Sequence, residues 1–117
     1  MIDIPKFIRS VGFALEGIVA LIKGENNARI HLLATILVII VGLYINISSA
    51  DWLWIGLSIT LVWLAEAFNT AIETLADMVS KEIHPNIKKV KDIAAAGVLF
   101  AAIFAIFVAV KVFINAF

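Results

Sequence analysis

The chain has no cysteine, only two prolines and a single tyrosine. The missing cysteines exclude disulfides and thiolate metal sites, and with them any reading of redox compartment. Neither sign of charge is in excess, because nine Lys and Arg balance nine Asp and Glu. Nucleic acid selects basic chains, so it is not expected as a partner. Nucleotide signatures are missing too. Gly12 and Gly17 are spaced as in a P-loop, but Ile18 and Val19 follow where Lys and Ser or Thr are needed. There is no Gly-rich loop or catalytic loop of the protein-kinase type. A cleaved signal peptide is not expected, since Lys6, Arg9 and Glu16 interrupt the first apolar stretch. Neither His31 nor His84 has a second histidine at ligand spacing, and His31 reads as an interface residue.

What abounds is apolar surface. Of 117 residues, 63% are hydrophobic, and the mean hydropathy is +1.09. A soluble chain this small cannot hide so much apolar area, so lipid must cover it. One compact membrane unit over residues 1–117 is expected, all-α and integral to the bilayer. The first segment, 4–23, is periodic: Ile4, Phe7, Ile8, Val11, Leu15, Ile18 and Ile22 recur at three- and four-residue steps, with Lys6, Arg9, Ser10 and Glu16 off the stripe. This predicts an amphipathic helix, capped by Asp3 with Pro5 in its first turn, lying in the membrane interface.

A polar break at Lys23–Asn27 precedes three apolar runs. Transmembrane helices are predicted over 29–47, 52–79 and 87–115. Ser48 to Asp51 reads as a turn with Asp51 as the next cap, and Trp52 and Trp54 mark a membrane interface. Ser80 to Lys91 reads as a polar loop broken by Pro85. Lys6, Arg9, Lys23 and Arg29 lie before the first span and Lys81, Lys88, Lys89 and Lys91 in the second loop, while the turn between the first two spans has no Lys or Arg. The N-terminus and second loop are therefore expected in the cytoplasm and the C-terminus outside, in the cytoplasmic (inner) membrane. Gly97, Ala101, Ala105 and Ala109 form a small-residue seam that suits helix packing in lipid, and an oligomer is expected because three helices bury little.

The chemistry concentrates on the second span. Glu66, Asn69, Glu73 and Asp77 follow at i, i+3, i+7 and i+11, within an arc of roughly 80° and over a rise of roughly 16 Å. Asp77 alone could be ordinary interface, but a carboxylate as deep as Glu66 costs about 2.5–3.5 kcal/mol at the bilayer centre and defaults to function. Glu25 and Arg29 precede the first span, and Lys91 and Asp92 the third. Each pair has a bland reading, as an i,i+4 surface pair or a helix start, yet all converge on the same end of the second span. Carboxylates in open geometry hold Mg²⁺ together with phosphate oxygens. Lysines offset phosphate charge, and a deep carboxylate suits a general base toward a lipid hydroxyl. Together they suit phosphoryl transfer from a nucleotide to a lipid alcohol.

Glu66-Ala67-Phe68-Asn69-Thr70-Ala71-Ile72-Glu73, followed by Asp77, resembles the signature of the prokaryotic diacylglycerol kinase family. Lys91-Asp92 with Ala94-Ala95-Ala96-Gly97 resembles that family's second motif, and Glu25 and Arg29 fall at matching spacing upstream. The resemblance implies a homotrimer with one surface helix and three transmembrane helices per subunit. It implies that MgATP phosphorylates a lipid hydroxyl, with diacylglycerol to phosphatidic acid as the first reading. Glu66 would be the general base, and Glu25 and Glu73 would bind Mg²⁺. Lys6, Phe13, Glu25, Glu73, Glu82, His84, Lys91 and Asp92 would surround ATP. Asn69, Asp77, Arg29 and Ala95 would orient or support. Lys6 stands where some members have arginine, and Phe13 where some have tyrosine. Ala95 replaces a serine of the diacylglycerol enzymes, as in undecaprenol kinases, which makes that lipid the alternative acceptor. Two readings of other classes remain at this point: a small proton-coupled transporter or channel subunit, for which one membrane carboxylate suffices, and a non-catalytic assembly subunit, which the Gly97–Ala109 seam would suit.

Overall fold

The computed structural model describes residues 1–82 and 84–116, and the chain folds into four helices with no other regular element among them. The first, α1 (Ile4–Gly24), starts where Asp3 accepts a hydrogen bond from the Lys6 amide at 3.0 Å and Pro5 occupies the first turn. That proline costs nothing there, because first-turn amides have no intrahelical partner.

The expected five-residue break after α1 shrinks to one residue. Glu25 is extended (φ −122°, ψ 122°) and serves as the C-cap of α1 and the N-cap of α2 (Asn26–Ile45). Arg29 makes this corner firm by donating from Nη1 to the Lys23 carbonyl at 3.0 Å, so one orphan carbonyl of α1 is satisfied from the next helix. Glu25 and Arg29 are therefore not a side-chain ion pair; Arg29 binds backbone instead.

The first span ends at Ile45, before the predicted boundary, because Asn46 enters the left-handed region (φ 56°). Asparagine tolerates that conformation better than most residues. Ile47 then donates to the Gly42 carbonyl at 3.2 Å. The next cap is Ser48 rather than Asp51: its hydroxyl accepts from the Asp51 amide at 3.1 Å, and α3 (Ser49–Val79) begins at once. A serine at N-cap satisfies a first-turn donor with its side chain, which leaves Asp51 in the first turn facing the positive end of the helix dipole.

The second loop is shorter than predicted. Pro85 opens α4 (Pro85–Ala116) instead of merely interrupting a loop, since its fixed φ suits the first helical position. Lys88, Lys91 and Asp92 are thus helical. The intervening Ile83 lies outside the described residues.

Among the described residues, α2, α3 and α4 are each long and apolar enough to cross a membrane. α3 has 31 residues and rises about 46 Å, half again the depth of a hydrocarbon core of about 30 Å. One end of α3 therefore projects beyond the apolar layer. α3 and α4 form the close pair, while α1 and α2 touch their neighbours along shorter stretches. The core gathers at the end near the α2–α3 turn, where Ile47, Ile55, Val108 and Val112 are buried among Val38, Trp52, Ile59 and Phe104. Most other large apolar side chains, such as Leu33, Leu37, Phe100 and Phe107, are exposed. Such a surface is stable only in lipid, and the protein is a membrane protein.

Candidate active site

The buried stripe of α3 runs Ile55, Ser58, Val62, Glu66, Asn69 and Ala76. These steps of three and four residues hold one helix face against its neighbours. Midway the stripe turns strongly polar, at Glu66 and Asn69. Glu66 is fully buried and Asn69 is buried, Glu73 is half-buried and Asp77 is exposed. The four residues thus grade from the packed interior to the surface.

Glu66 is the centre of this region. Neither of its carboxylate oxygens has a hydrogen-bond partner, and the same holds for Asn69 Oδ1 and Thr70 Oγ1. Among the described residues these four are the buried side-chain polar atoms left unpaired. Each such group costs about 1–3 kcal/mol, and more if charged. All four lie within five consecutive residues of α3, from Glu66 to Thr70. The ionisable neighbours whose fields reach Glu66 are His31, Glu25 and Glu73. Asn69 donates from Nδ2 to Glu73 Oε1 at 3.4 Å, so it is tied to Glu73 rather than to Glu66.

Glu25, at the α1–α2 corner, faces the same region. A cavity of about 530 Å³ opens between α1 and α3, lined by Ala14, Gly17, Leu21, Glu25, Ala67, Thr70 and Thr74 among others. Small residues on both helices make the space. Lys6 and Phe13 lie on α1 as exposed side chains and do not line it.

A second group forms where α3 ends and α4 begins. Lys91 Nζ donates to Asp77 Oδ1 at 2.5 Å, and Lys88 Nζ to Asp92 Oδ2 at 2.6 Å. A cavity of about 300 Å³ there is lined by Ser80, Lys81, Glu82, His84, Ile87, Lys88, Lys91 and Asp92. His84 Nδ1 accepts from the Asn86 amide at 3.1 Å, which fixes its ring at the start of α4. Ala95, one turn beyond Lys91, is exposed. The sequence-predicted residues therefore fall into two neighbouring groups: Glu25, Glu66, Asn69 and Glu73, and then Asp77, Glu82, His84, Lys91 and Asp92.

The structure adds residues that the sequence reading passed over. His31, read above as an interface residue, is half-buried, with Nε2 3.6 Å from Glu66 Oε2. Thr35 and Trp63 join it, Trp63 Nε1 donating to Thr35 Oγ1 at 3.0 Å. The available signal was spacing. His31 and Thr35 are polar residues one turn apart, at the start of the apolar stretch of α2 and within it, and polar groups in a span face the bundle interior.

Comparison with known proteins agrees with this geometry. Residues 12–113 match the family model described as prokaryotic diacylglycerol kinase. The undecaprenol kinase of Bacillus subtilis is 30% identical over 96% of this chain and 91% of its own length. The diacylglycerol kinase of Escherichia coli K12 is 27% identical over 86% of this chain and 83% of its own. That of Pseudomonas aeruginosa is 30% identical over 80% of this chain and 76% of its own. With nearly its whole length matched, the chain belongs to the prokaryotic diacylglycerol kinase family.

Proposed function

We propose that the protein transfers the γ-phosphoryl group of ATP to the hydroxyl of a membrane lipid, with Glu66 as general base. One observation carries the assignment of the base: Glu66 is wholly buried, yet both its oxygens are without a hydrogen-bond partner. A structural carboxylate in that position would be paired. A base needs at least one oxygen left open to take the hydroxyl proton.

Chemically, the lipid oxygen attacks the γ-phosphorus, the bond from that phosphorus to the β–γ bridging oxygen breaks and ADP leaves, while the hydroxyl proton passes to Glu66. Little covalent work falls to the protein; positioning and charge compensation do the rest. Lys91 and Lys88 lie on the first turns of α4, beside the second cavity, and supply positive charge for phosphate oxygens. Glu82, His84 and Asp92 line the same cavity and would contact the nucleotide. Lys6 and Phe13, on α1, would close over it from another side. Arg29 braces the corner that holds Glu25.

Mg²⁺ fits the donors present. It is bound through one or two carboxylates plus substrate phosphates, and Glu25 and Glu73 offer two half-buried carboxylates near Glu66. Among the described residues, no group of three or more His, Cys, Asp or Glu side chains could hold a metal by itself. The donor set thus suits an ion that arrives with the nucleotide. When bound, Mg²⁺ would offset the charge developing on the phosphates.

Diacylglycerol, giving phosphatidic acid, is the first acceptor. Undecaprenol is the second reading, and two observations favour it: Ala95, and a relative named undecaprenol kinase that aligns over 96% of this chain. In the membrane, α1 lies along the interface, the N-terminus and the α3–α4 loop face the cytoplasm, and three copies associate in the cytoplasmic membrane. The exposed apolar faces of a loosely packed subunit support association.

The test is a competition assay. Purified protein in lipid, supplied with Mg²⁺ and labelled ATP, is offered diacylglycerol and undecaprenol together. Label in phosphatidic acid supports the first reading and label in undecaprenyl phosphate the second. Label in neither, with proton-coupled flux in liposomes and no ATP turnover, would replace the kinase by a transporter.

A further inference from the structure

Resting on the lipid-kinase reading of Glu66, we propose that His31 is a positioning residue, whose ring Nε2 holds the Glu66 carboxylate in orientation for the acceptor hydroxyl. The Glu66 carboxylate has no full hydrogen bond, Thr70 being a side-chain donor near it on its own helix, so its soft last torsion is only weakly held. A base that rotates is poorly aimed, and small misplacements of reacting groups cost large factors in rate. Something must restrain it without consuming the oxygen that takes the proton.

His31 is placed for this. Its Nε2 lies 3.6 Å from Glu66 Oε2, with side-chain exposures of 18% and 1%. That is a few tenths of an ångström beyond a hydrogen bond, and contacts in a site without substrate are often long and tighten when it binds. Only one carboxylate oxygen, Oε2, faces the ring; Oε1 remains for the substrate.

The histidine is itself held on a cross-helix support. Thr35 Oγ1, one turn along α2, donates to the His31 carbonyl at 2.7 Å and accepts from Trp63 Nε1 at 3.0 Å. Trp63, three residues before Glu66 on α3, meets the His31 ring edge-on, with centroids 6.5 Å apart and an interplanar angle of 69°. The indole thus fixes both the height of α2 against α3 and the plane of the imidazole. A carboxylate, an imidazole and a group that fixes the imidazole form the arrangement by which bases are aimed in other enzymes. A merely space-filling role leaves the approach of Nε2 to the carboxylate unexplained.

Three variants of the full-length protein in lipid separate these roles. The His31→Gln amide nitrogen falls where Nε2 lies, the His31→Asn nitrogen falls short of it, and His31→Leu keeps the volume without a donor. Expected are a kcat lowered roughly 10- to 100-fold in His31→Leu and His31→Asn, with KM for MgATP within about twofold of wild type, and substantial recovery in His31→Gln. Wild-type kcat in His31→Leu overturns the proposal, as does His31→Gln no faster than His31→Leu. Contact is read independently of turnover from the ¹⁵N shifts of the His31 ring, which move in Glu66→Gln; unchanged shifts overturn it. If the wild-type protein shows no kinase activity, the lipid-kinase reading fails, while the ring shifts still decide whether His31 engages Glu66.

Discussion

At the scale of single residues, the protein concentrates its unmet polar demand in one place. Glu66 is buried without partners, so replacing it by glutamine removes the base without removing a structural bond. Glu66→Gln is expected to lower turnover by about 10²- to 10⁴-fold, with a thermal unfolding midpoint in detergent no lower than wild type. A large loss of stability would mean that the carboxylate is structural. Gly42 makes the opposite case, a residue defined by packing alone. A Cβ there would stand 2.8 Å from Trp52 Cη2, and the indole has little room because Ile47 packs on the same spot. Gly42→Ala is expected to destabilise by about 1–3 kcal/mol and to leave kcat of the folded fraction unchanged, measured by unfolding and by specific activity per folded protein.

At the scale of elements, the ends of the helices set the site. The single extended residue Glu25 turns α1 into α2 and so brings a carboxylate to the α1–α3 cavity. Ser48 starts α3, and Ser48→Ala is expected to cost about 1 kcal/mol of stability, the usual worth of an N-cap, with activity retained at low temperature. Asp77 and Lys91 link the end of α3 to the start of α4. Their side chains are 53% and 35% exposed, and exposed pairs are worth about 0–1 kcal/mol. The pair therefore aims the lysine more than it stabilises the fold. Asp77→Asn is expected to raise KM for MgATP several-fold while the unfolding midpoint stays near wild type; an unchanged KM would remove Lys91 from the nucleotide site or Asp77 from its support.

At the scale of the whole molecule, α3 and α4 are well packed against each other and α2 meets α3 at two places: Gly42 packs against Trp52 near the turn, and Thr35, at mid-helix, accepts from Trp63 near the site. The exposed apolar faces left over must meet lipid or other subunits. A stable trimer is expected in mild detergent, read as three times 12.8 kDa by sedimentation after correction for bound detergent. A monomer with full lipid-kinase activity would show that one chain completes the site.

Sequence alone determined much of this. Apolar runs of spanning length forced α2, α3 and α4, because a bilayer offers the backbone no other way to satisfy its hydrogen bonds. Helical period placed Glu66, Asn69, Glu73 and Asp77 on neighbouring positions, because 3.6 residues per turn is a property of any helix. Local chemistry was harder to read: Asp51 was expected to cap α3, and the observed backbone gives that place to Ser48. What tertiary structure alone decided is how deeply each of those polar groups is buried and what lies opposite. Glu66 is enclosed and Asp77 is not: Asp77 lies at the end of α3, where it meets the partly exposed Lys91 at the start of α4. His31 faces Glu66 because the Thr35–Trp63 hydrogen bond sets the height of α2 on α3. That height is a relation between two helices, and the period of neither one contains it.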